Sequence, residues 1–290
     1  MKPSQFRYVV PHDLEAAISA RARWDDSVIL SGGQSLVATM NFRLSNPDVV
    51  IDLRRLSELD YVRSATDGSI LVGAMTRQRT LEFDESAHRA NPLLRETLRH
   101  IAHPVIRNRG TVGGSLAHAD PAAELPCLLS TLRGQVVAQG PGGRRTIDAG
   151  EFFEFIFTTS LQPDELLVEV VFPGLDSGEG YAFCELTRRH GDFAVAAVAA
   201  TLRLDGAGKV ASTRLGACGI STTPVVLRDA ENLLTGERPS TEAFSEAAEV
   251  ATRSVTTADD DPAGSYRKHV LRSLVLKALN EALERTEAIK

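Results

Sequence analysis

The sequence contains little cysteine. Its 290 residues include three, Cys127, Cys184 and Cys218, which lie far apart and form no CxxC pair. This number and spacing argue against a disulfide framework and against a zinc site. An iron–sulfur cluster needs about four thiolates. Any such cluster that works with this chain is therefore expected in another subunit.

Long apolar runs and an excess of positive charge are absent as well. No apolar stretch is long enough to cross a bilayer, and residues 1–7 contain no apolar signal core. We therefore expect a cytoplasmic protein without a membrane-inserted segment. The formal net charge of -6 argues against nucleic acid as the main partner. The composition, with 43% hydrophobic and 24% charged residues, is typical of a globular protein.

Two glycine-rich segments are the most informative features that are present. Residues 31–36 read SGGQSL and residues 109–115 read RGTVGGS. Glycine pairs let a backbone approach a ligand closely, while amides and hydroxyls bind phosphate oxygens. The first segment alone is equally compatible with a tight strand-to-helix turn. Two such segments in one chain suggest a clamp for a pyrophosphate-bearing cofactor, and the lack of a GxGxxG fingerprint disfavours a Rossmann site.

Charged residues around the second segment allow several interpretations. Arg107 and Arg109 are either solvated surface arginines or cations that offset the charge of a bound diphosphate. Asp120, which precedes a proline, is typical of a helix N-cap and predicts a helix over 122–132. His118 and Asp120 make a poor metal site because no further His or Cys lies nearby. The chain offers no nucleophile–base set, so we predict no catalytic residue and expect redox chemistry carried by a cofactor.

Three units follow one another along the chain. Residues 1–55 and 56–174 each combine strands and helices, and residues 179–290 begin after a polar, glycine-rich joint. In the last unit, two strand-like stretches flank a hairpin turn at 205–208. Apolar residues at three–four spacing over 270–283 predict an amphipathic terminal helix.

Together these residues resemble one family, the FAD-binding medium subunit of molybdenum hydroxylases. Its members include the medium subunit of carbon monoxide dehydrogenase and the flavin segment of xanthine dehydrogenase. Residues 31–36 are similar to the family's AGGHSL. The most specific match is 107–126, RNRGTVGGSLAHADPAAELP, and residues 188–194, RRHGDFA, match the family's RR-x-x-DFA segment. The resemblance extends over practically the whole chain.

The resemblance implies an α+β fold and a cofactor site. The expected fold is a vanillyl-alcohol-oxidase-like (PCMH-type) FAD-binding domain of two α+β subdomains, 1–55 and 56–174, followed by a C-terminal domain of antiparallel sheet and helices, 179–290. The two loops, at 32–36 and 111–115, would clamp the diphosphate of a non-covalently bound FAD. The implied cofactor-binding residues are Ser31, Gly32, Gly33, Gln34, Ser35, Leu36, Ile106, Thr111, Gly113, Gly114, Ser115, His118, Asp120 and Glu124.

The resemblance also implies partner chains. A large subunit with a molybdenum cofactor would hydroxylate the substrate, and a small subunit with two [2Fe–2S] clusters would conduct the electrons. The FAD of this chain would receive them and deliver them to an external acceptor, within a dimer of heterotrimers. The substrate stays open between carbon monoxide, a purine and an N-heterocycle such as nicotine or quinoline. Two rival functions also stay open: a stand-alone flavin oxidoreductase of the same fold, and a non-catalytic nucleotide-binding module.

Two positions depart from the family pattern. Gln34 stands where many relatives have His, which removes one conceivable site for a covalent flavin link. Its amide can still form hydrogen bonds, so we expect FAD binding to survive. Glu185 stands where Lys is common. The family's role for that position, near the flavin, therefore does not transfer directly.

Overall fold

The structure, a computed structural model, describes residues 2–256 and 264–288. Position 1 of the first predicted domain, and the segment 257–263 and positions 289–290 of the last, lie outside the described residues. Among the helices of the described part, none is long and apolar enough to cross a membrane.

The first unit is a small parallel sheet with its helices. Its elements in chain order are β1 (Arg7–Val9), α1 (Leu14–Arg23), β2 (Ser27–Leu30), α2 (Leu36–Asn41) and β3 (Val49–Asp52). The strand order is β1-β3-β2, and every residue of the central strand β3 is buried. Asp13 caps α1, since its Oδ1 accepts from the amide of Ala16 at 2.7 Å. Strand β2 runs directly into the first glycine segment.

The second unit is built on a 5-stranded antiparallel sheet of order β4-β5-β10-β6-β7. After the 3-10 turn Ser57–Leu59, its first elements are β4 (Val62–Ser64), β5 (Ile70–Gly73), α3 (Gln78–Phe83), α4 (Glu85–Ala90), α5 (Pro92–His100), α6 (Pro104–Arg107), α7 (Val112–His118) and α8 (Glu124–Leu132). The remaining elements are β6 (Gln135–Gly140), β7 (Gly143–Asp148), α9 (Ala149–Phe152), β8 (Phe153–Phe155), β9 (Thr158–Thr159) and β10 (Leu166–Phe172). The second glycine segment lies between α6 and α7.

The third unit is a 4-stranded antiparallel sheet of order β11-β12-β13-β14, covered by helices. Its elements are β11 (Gly180–Thr187), β12 (Ala194–Leu204), β13 (Val210–Cys218), β14 (Val225–Val226), α10 (Arg228–Leu234), α11 (Thr241–Ser254) and α12 (Gly264–Ala288). The tight turn predicted at 205–208 joins β12 to β13, and the apolar stripe of α12 is buried as its spacing predicts. The predicted α+β fold is confirmed. The domain boundaries at 55, 174 and 179 stay a prediction.

Three apolar cores hold these units together. One core lies between the first sheet and one face of the second sheet, to which its central strand β10 contributes Leu166 and Val168. The largest core joins the second unit to one face of the third sheet, where Phe183, Ala197 and Cys218 contribute side chains. The opposite face of the third sheet is covered by α10, α11 and α12. Both faces of that sheet are therefore buried.

The start of α8 differs from the sequence-based prediction. Asp120 is not its N-cap, because α8 begins at Glu124 after the cap residue Ala123. Asp120 instead closes a turn in which its Oδ1 accepts from the amide of Ala122 at 2.9 Å. The chain is redirected there because Ala119 adopts a left-handed conformation with φ 50. Pro126 falls in the first turn of α8, where amides have no intrahelical partner, so it costs the helix no hydrogen bond.

Candidate cofactor site

The two glycine segments meet in space. Ser31, directly after β2, places its Oγ 2.6 Å from Oγ1 of Thr111, the N-cap of α7. The same Ser31 Oγ lies 3.1 Å from Sδ of Met75, which follows β5. A parallel sheet and an antiparallel sheet thus deliver their loops to one point, as the predicted clamp requires.

The glycines are required because neighbouring segments of this chain pack directly against them. A Cβ on Gly32 would lie 2.5 Å from the carbonyl oxygen of Arg109, and one on Gly113 would lie 2.5 Å from Cβ of Ala74. A Cβ on Gly114 would lie 2.5 Å from Thr111 Oγ1. The sequence analysis attributed the glycines to close approach of a ligand. The structure shows that they first allow the loops to approach each other and β5.

The first loop offers a row of free amides. Among the described residues, none accepts a hydrogen bond from the backbone amides of residues 32–36. Gly33 has φ +73, which turns the chain within this row. The Gln34 side chain bends back, and its Nε2 donates to the Gly32 carbonyl oxygen at 3.1 Å. Successive unpaired amides in such a turn form a concave anion-binding nest.

The second loop contributes differently. The amide of Gly113 donates to the Ala74 carbonyl oxygen at 3.0 Å, and the amides of Gly114 and Ser115 donate to Thr111. These amides are therefore occupied by the fold. What the loop can still offer a ligand is the Ser115 hydroxyl, which is partly exposed, together with the shape of its surface.

The two arginines beside the second loop have separate roles. Arg107 is buried and pairs with Glu82, with Nε–Oε2 at 2.9 Å, so it is not a solvated surface arginine, and Glu82 balances its charge. Arg109 is exposed at the loop. Its charge and that of Arg77 lower the pKa of Asp52, although burial outweighs them and the pKa is raised overall. Both cations therefore lie close to the end of β3, beside the clamp.

Sequence reasoning missed Arg77. Its guanidinium donates from Nη1 to the carbonyl oxygen of Arg109, and a backbone bridge joins it to Thr111. It therefore fastens the second loop and adds positive charge there. No motif marks Arg77, because it lies between a strand and a helix and meets the loop only in the folded chain.

The remaining predicted residues extend from the clamp along α7 and α8. His118, at the end of α7, stacks on Phe157 with ring centroids 4.9 Å apart, and burial lowers its pKa. Ile106, in α6, is partly buried. Glu124, the first residue of α8, is 4% exposed. Burial raises its pKa to about 8, with a further contribution from the charge of Glu185.

The segment 188–194 joins β11 to β12 next to these helices. Gly191, with φ +87, packs so closely on His103 that a Cβ would lie 2.8 Å from its Nε2. Glu185, which precedes the segment, has a nearly inaccessible side chain, and its Oε2 lies 3.1 Å from Nδ1 of His100. Glu185 therefore has a specific partner here in His100.

These groups fit a dinucleotide. The free amides, the Ser115 hydroxyl and the cations Arg77 and Arg109 suit the oxygens of a diphosphate. The arrangement defines a class of protein: a two-subdomain, loop-clamped dinucleotide-binding fold with a C-terminal antiparallel-sheet domain.

Comparison with known proteins identifies the family. Residues 4–175 match the FAD binding domain in molybdopterin dehydrogenase, and residues 181–282 match the CO dehydrogenase flavoprotein C-terminal domain. The chain belongs to this family of FAD-binding oxidoreductase subunits. The predicted resemblance and the predicted cofactor class are confirmed.

Similar proteins cover the full chain. The chain is 40% identical to 6-hydroxypseudooxynicotine dehydrogenase complex subunit alpha of Paenarthrobacter nicotinovorans, over 100% of this chain and 98% of that protein. Carbon monoxide dehydrogenase from Hydrogenophaga pseudoflava superposes with a TM-score of 0.94 at 34% identity, over 98% of this chain and 99% of that chain. Quinoline 2-oxidoreductase from Pseudomonas putida 86 superposes with a TM-score of 0.93 at 32% identity, over 100% of both chains.

Proposed function

We propose that this chain binds FAD without a covalent link and transfers electrons within a heteromeric molybdenum hydroxylase. It takes them from [2Fe–2S] clusters of a small partner and delivers them to an external acceptor. The observation that carries the proposal is the clamp, in which the amides of residues 32–36 are free beside the Ser31–Thr111 contact. When bound there, FAD supplies a centre that accepts and releases electrons singly or in pairs.

The residues of the clamp have distinct roles in this proposal. The amides of residues 32–36 bind diphosphate oxygens, and Ser115 adds a hydroxyl. Arg77 and Arg109 compensate the charge of the diphosphate. His118 at the end of α7, and Asp120 and Glu124 beyond it, would lie along the rest of the cofactor.

The proposed assembly contains a large molybdenum subunit and a small iron–sulfur subunit, arranged as a dimer of heterotrimers in the cytoplasm. The three cysteines of this chain support the assignment of the iron–sulfur clusters to a separate subunit, because all are buried and none lies in a CxxC pair. The substrate class we propose is an N-heterocycle. It is favoured by the 40% identical relative, which is named for 6-hydroxypseudooxynicotine, over the 33% identical carbon monoxide dehydrogenase medium chain.

Flavin content tests the clamp. We expect Gly32→Ala to lose most bound FAD, because its Cβ would lie 2.5 Å from the Arg109 carbonyl oxygen and separate the loops. The matched control is Gly150→Ala, an exposed position with nothing within 4 Å of the new Cβ. Visible absorbance per chain after reconstitution with FAD is the measurement. Full occupancy in Gly32→Ala would contradict the proposed clamp.

Co-purification separates this proposal from its rival. We expect the tagged chain, purified from cells that also produce its partner subunits, to retain a large chain that carries molybdenum and a small chain that carries iron. A stand-alone flavin oxidoreductase would instead purify without them and reduce its own flavin rapidly with an organic substrate. Such a result would overturn the electron-transfer assignment while leaving the clamp intact.

A further inference from the structure

A cluster of basic side chains surrounds a cleft at the segment 188–194. The cleft has a volume of about 330 Å³, and its walls are Arg99, His100, Glu185, Thr187, His190 and Gly191. His103 reaches the same edge, because its ring centroid lies 5.3 Å from that of His190. Two further arginines directly precede His190 in the sequence. The exposed cations and histidines at this edge form a basic rim that consists of Arg99, His103, Arg188, Arg189 and His190.

The fold does not balance the positive charge of the basic rim. Within the part of the chain that the structure describes, none of the three rim arginines forms an ion pair with a carboxylate. Asp192 is the one acidic residue of the segment 188–194. The whole chain, in contrast, has a formal net charge of -6. A local surplus of positive charge attracts an anionic partner, and salt screens that attraction.

The inside of the cleft disfavours a small anion. The side chain of Glu185 in its wall is 4% exposed, and its Oε1 has no hydrogen-bond partner among the described residues. A phosphate or carboxylate that entered the cleft would approach this acceptor oxygen. A macromolecule that covers the opening would instead meet the cations of the basic rim. The arrangement therefore suits an acidic protein surface.

The composition of this edge is typical of a transient protein contact. Phe193, which follows Asp192, is 56% exposed and adds an aromatic side chain next to the arginines. Aromatic residues and arginine are enriched at protein interfaces and contribute most of the binding energy. Permanent interfaces are larger and more apolar, whereas electron-transfer encounters are small and are guided by charge. The basic rim therefore fits a partner that binds, accepts an electron and leaves.

The basic rim also lies near the clamp. His103 is the N-cap of α6, a helix of 4 residues that ends at Arg107. At 1.5 Å per residue this helix is about 6 Å long, and Arg109 of the second glycine loop follows almost at once. Gly191 packs against His103, which holds the segment 188–194 to the start of α6. A partner on the basic rim would thus be separated from the clamp by one short helix.

We propose that the basic rim binds an acidic one-electron carrier protein, which is the external acceptor of this chain. Two carrier molecules, each taking one electron, oxidise FADH2 to FAD, and the two protons pass to solvent. The inference rests on the proposed function, because it specifies the class of acceptor that takes electrons from the bound FAD.

Binding is tested first, without electron transfer. The purified complex is titrated with zinc-substituted plastocyanin, an acidic carrier that is then redox-inactive, and the NMR signals of plastocyanin report its binding. We expect binding at low ionic strength and release as salt is added. The double variant Arg188→Glu, Arg189→Glu should bind about tenfold more weakly or worse, since like charges then face each other.

The matched control reverses two exposed charges at the opposite end of the same sheet. Lys209 lies in the turn between β12 and β13, and Arg238 is close enough to lower the pKa of Asp205 in that turn. Lys209→Glu with Arg238→Glu changes the net charge as much as the rim variant does. It should bind zinc-substituted plastocyanin as the wild type does. Equal loss in both double variants would reveal an effect of net charge alone and would overturn the basic rim as the binding surface.

Electron transfer is measured on the same complex after photochemical reduction of its FAD, which requires no substrate. Stopped-flow mixing with oxidised copper plastocyanin gives the rate at which plastocyanin is reduced. This rate should fall as salt is added, and it should fall about tenfold or more in the rim variant with FAD content unchanged. Reduction of the basic carrier cytochrome c should not become slower in that variant.

Other outcomes would also overturn the inference. They include a wild-type complex that does not bind plastocyanin, or binds it without dependence on salt. Slower reduction of ferricyanide with unaltered plastocyanin binding would assign the basic rim to a small anion. Loss of the large or small subunit from the rim variant would assign it to a permanent interface. Absence of FAD from the wild type would overturn the proposed function, whereas the titration would still decide whether the basic rim binds an acidic protein.

Discussion

Arg107 and Glu82 show how a single buried ion pair positions the clamp. Glu82 Oε2 also accepts from Arg79 Nη1 at 3.1 Å, and Arg107 Nη1 donates to the Ile101 carbonyl oxygen at 2.7 Å. These bonds fix α6 against α3 just before the second glycine loop. Without Arg107, the buried Glu82 would keep only its bond to the partly exposed Arg79, and a buried carboxylate that loses a buried partner is costly.

Arg107→Met should therefore destabilise the fold by about 3–5 kcal/mol at pH 7. Burial acts to raise the pKa of Glu82, but hydrogen bonds and charges from Arg107 and Arg79 outweigh it and lower the pKa. The stabilisation from the ionised Glu82 is thus present above the pKa of Glu82 in the unfolded chain, about 4.3. It is lost as the pH falls through the lower pKa of Glu82 in the folded chain. Urea unfolding at several pH values measures it. Exposed Arg89→Met should change stability by less than about 0.5 kcal/mol; a loss in Arg107→Met that does not shrink at acid pH would contradict the argument.

Individual residues differ in how far the sequence reveals them. The close approach of residues 31–36 to another group was predictable, because a glycine pair directly after a strand lets the backbone come near a neighbour. The partner of Arg107 was not, since Glu82 lies 25 positions earlier and only the fold brings them together. Arg77 was missed for the same reason. The role of a charged residue depends on its neighbours in the folded chain, and a local sequence pattern does not show those neighbours.

At the scale of elements, α12 and β11 make an unusually close contact. A Cβ on Gly180 would lie 1.8 Å from the carbonyl oxygen of Ala282. Thr286 secures the same contact, because its Oγ1 accepts from the Gly180 amide at 3.1 Å and lies 3.0 Å from the Leu202 carbonyl oxygen. Helix and strand therefore touch backbone to backbone.

Gly180→Ala should separate this helix from its sheet and destabilise the chain by about 1–3 kcal/mol. The obstacle is backbone, which has no alternative rotamer to adopt. Gly206→Ala, in the open turn between β12 and β13, has nothing within 4 Å of the new Cβ and should leave stability nearly unchanged. Chemical denaturation of both variants is the measurement. Equal midpoints for the two would show that α12 does not depend on this contact.

Long periodic elements were predictable, whereas short ones and boundaries were not. The apolar stripe of α12 and the strand at 166–172 follow directly from residue spacing. The predicted start of α8 was wrong because Asp120 is as favourable in a turn as at a helix N-cap, and local residue preferences cannot decide between the two. The small hairpin of β8 and β9 has too few residues for a period to be recognised.

For the whole molecule, the three thiols report on global unfolding. Cys127 and Cys218 lie in the core shared by the second and third units, and Cys184 lies in the core beneath α12. Burial, followed by the charge of Glu281, raises the pKa of Cys184 to about 12. Little of Cys184 is therefore thiolate in the native state at neutral pH.

A thiol reagent at pH 7 should accordingly modify none of the cysteines in the native chain on the timescale of a free thiol. All three should react together once denaturant unfolds the protein, because the sheet of the third unit contributes side chains to both cores. Mass spectrometry of the modified chain against denaturant concentration gives the measurement. Modification of Cys184 alone below the unfolding midpoint would show that the C-terminal unit opens independently.

The sheet of β11 to β14, covered on both faces, has a consequence for inheritance. One of its faces is completed by α5 and α8, which belong to the FAD-binding unit. A C-terminal segment exchanged between two relatives would carry its strands into a foreign α8 surface, where small residues such as Ala197 meet unmatched side chains. Recombination at the joint near residue 178 is thus constrained by the surface of α8, which lies about 50 positions earlier in the sequence. The two segments are expected to descend together, as one unit of selection.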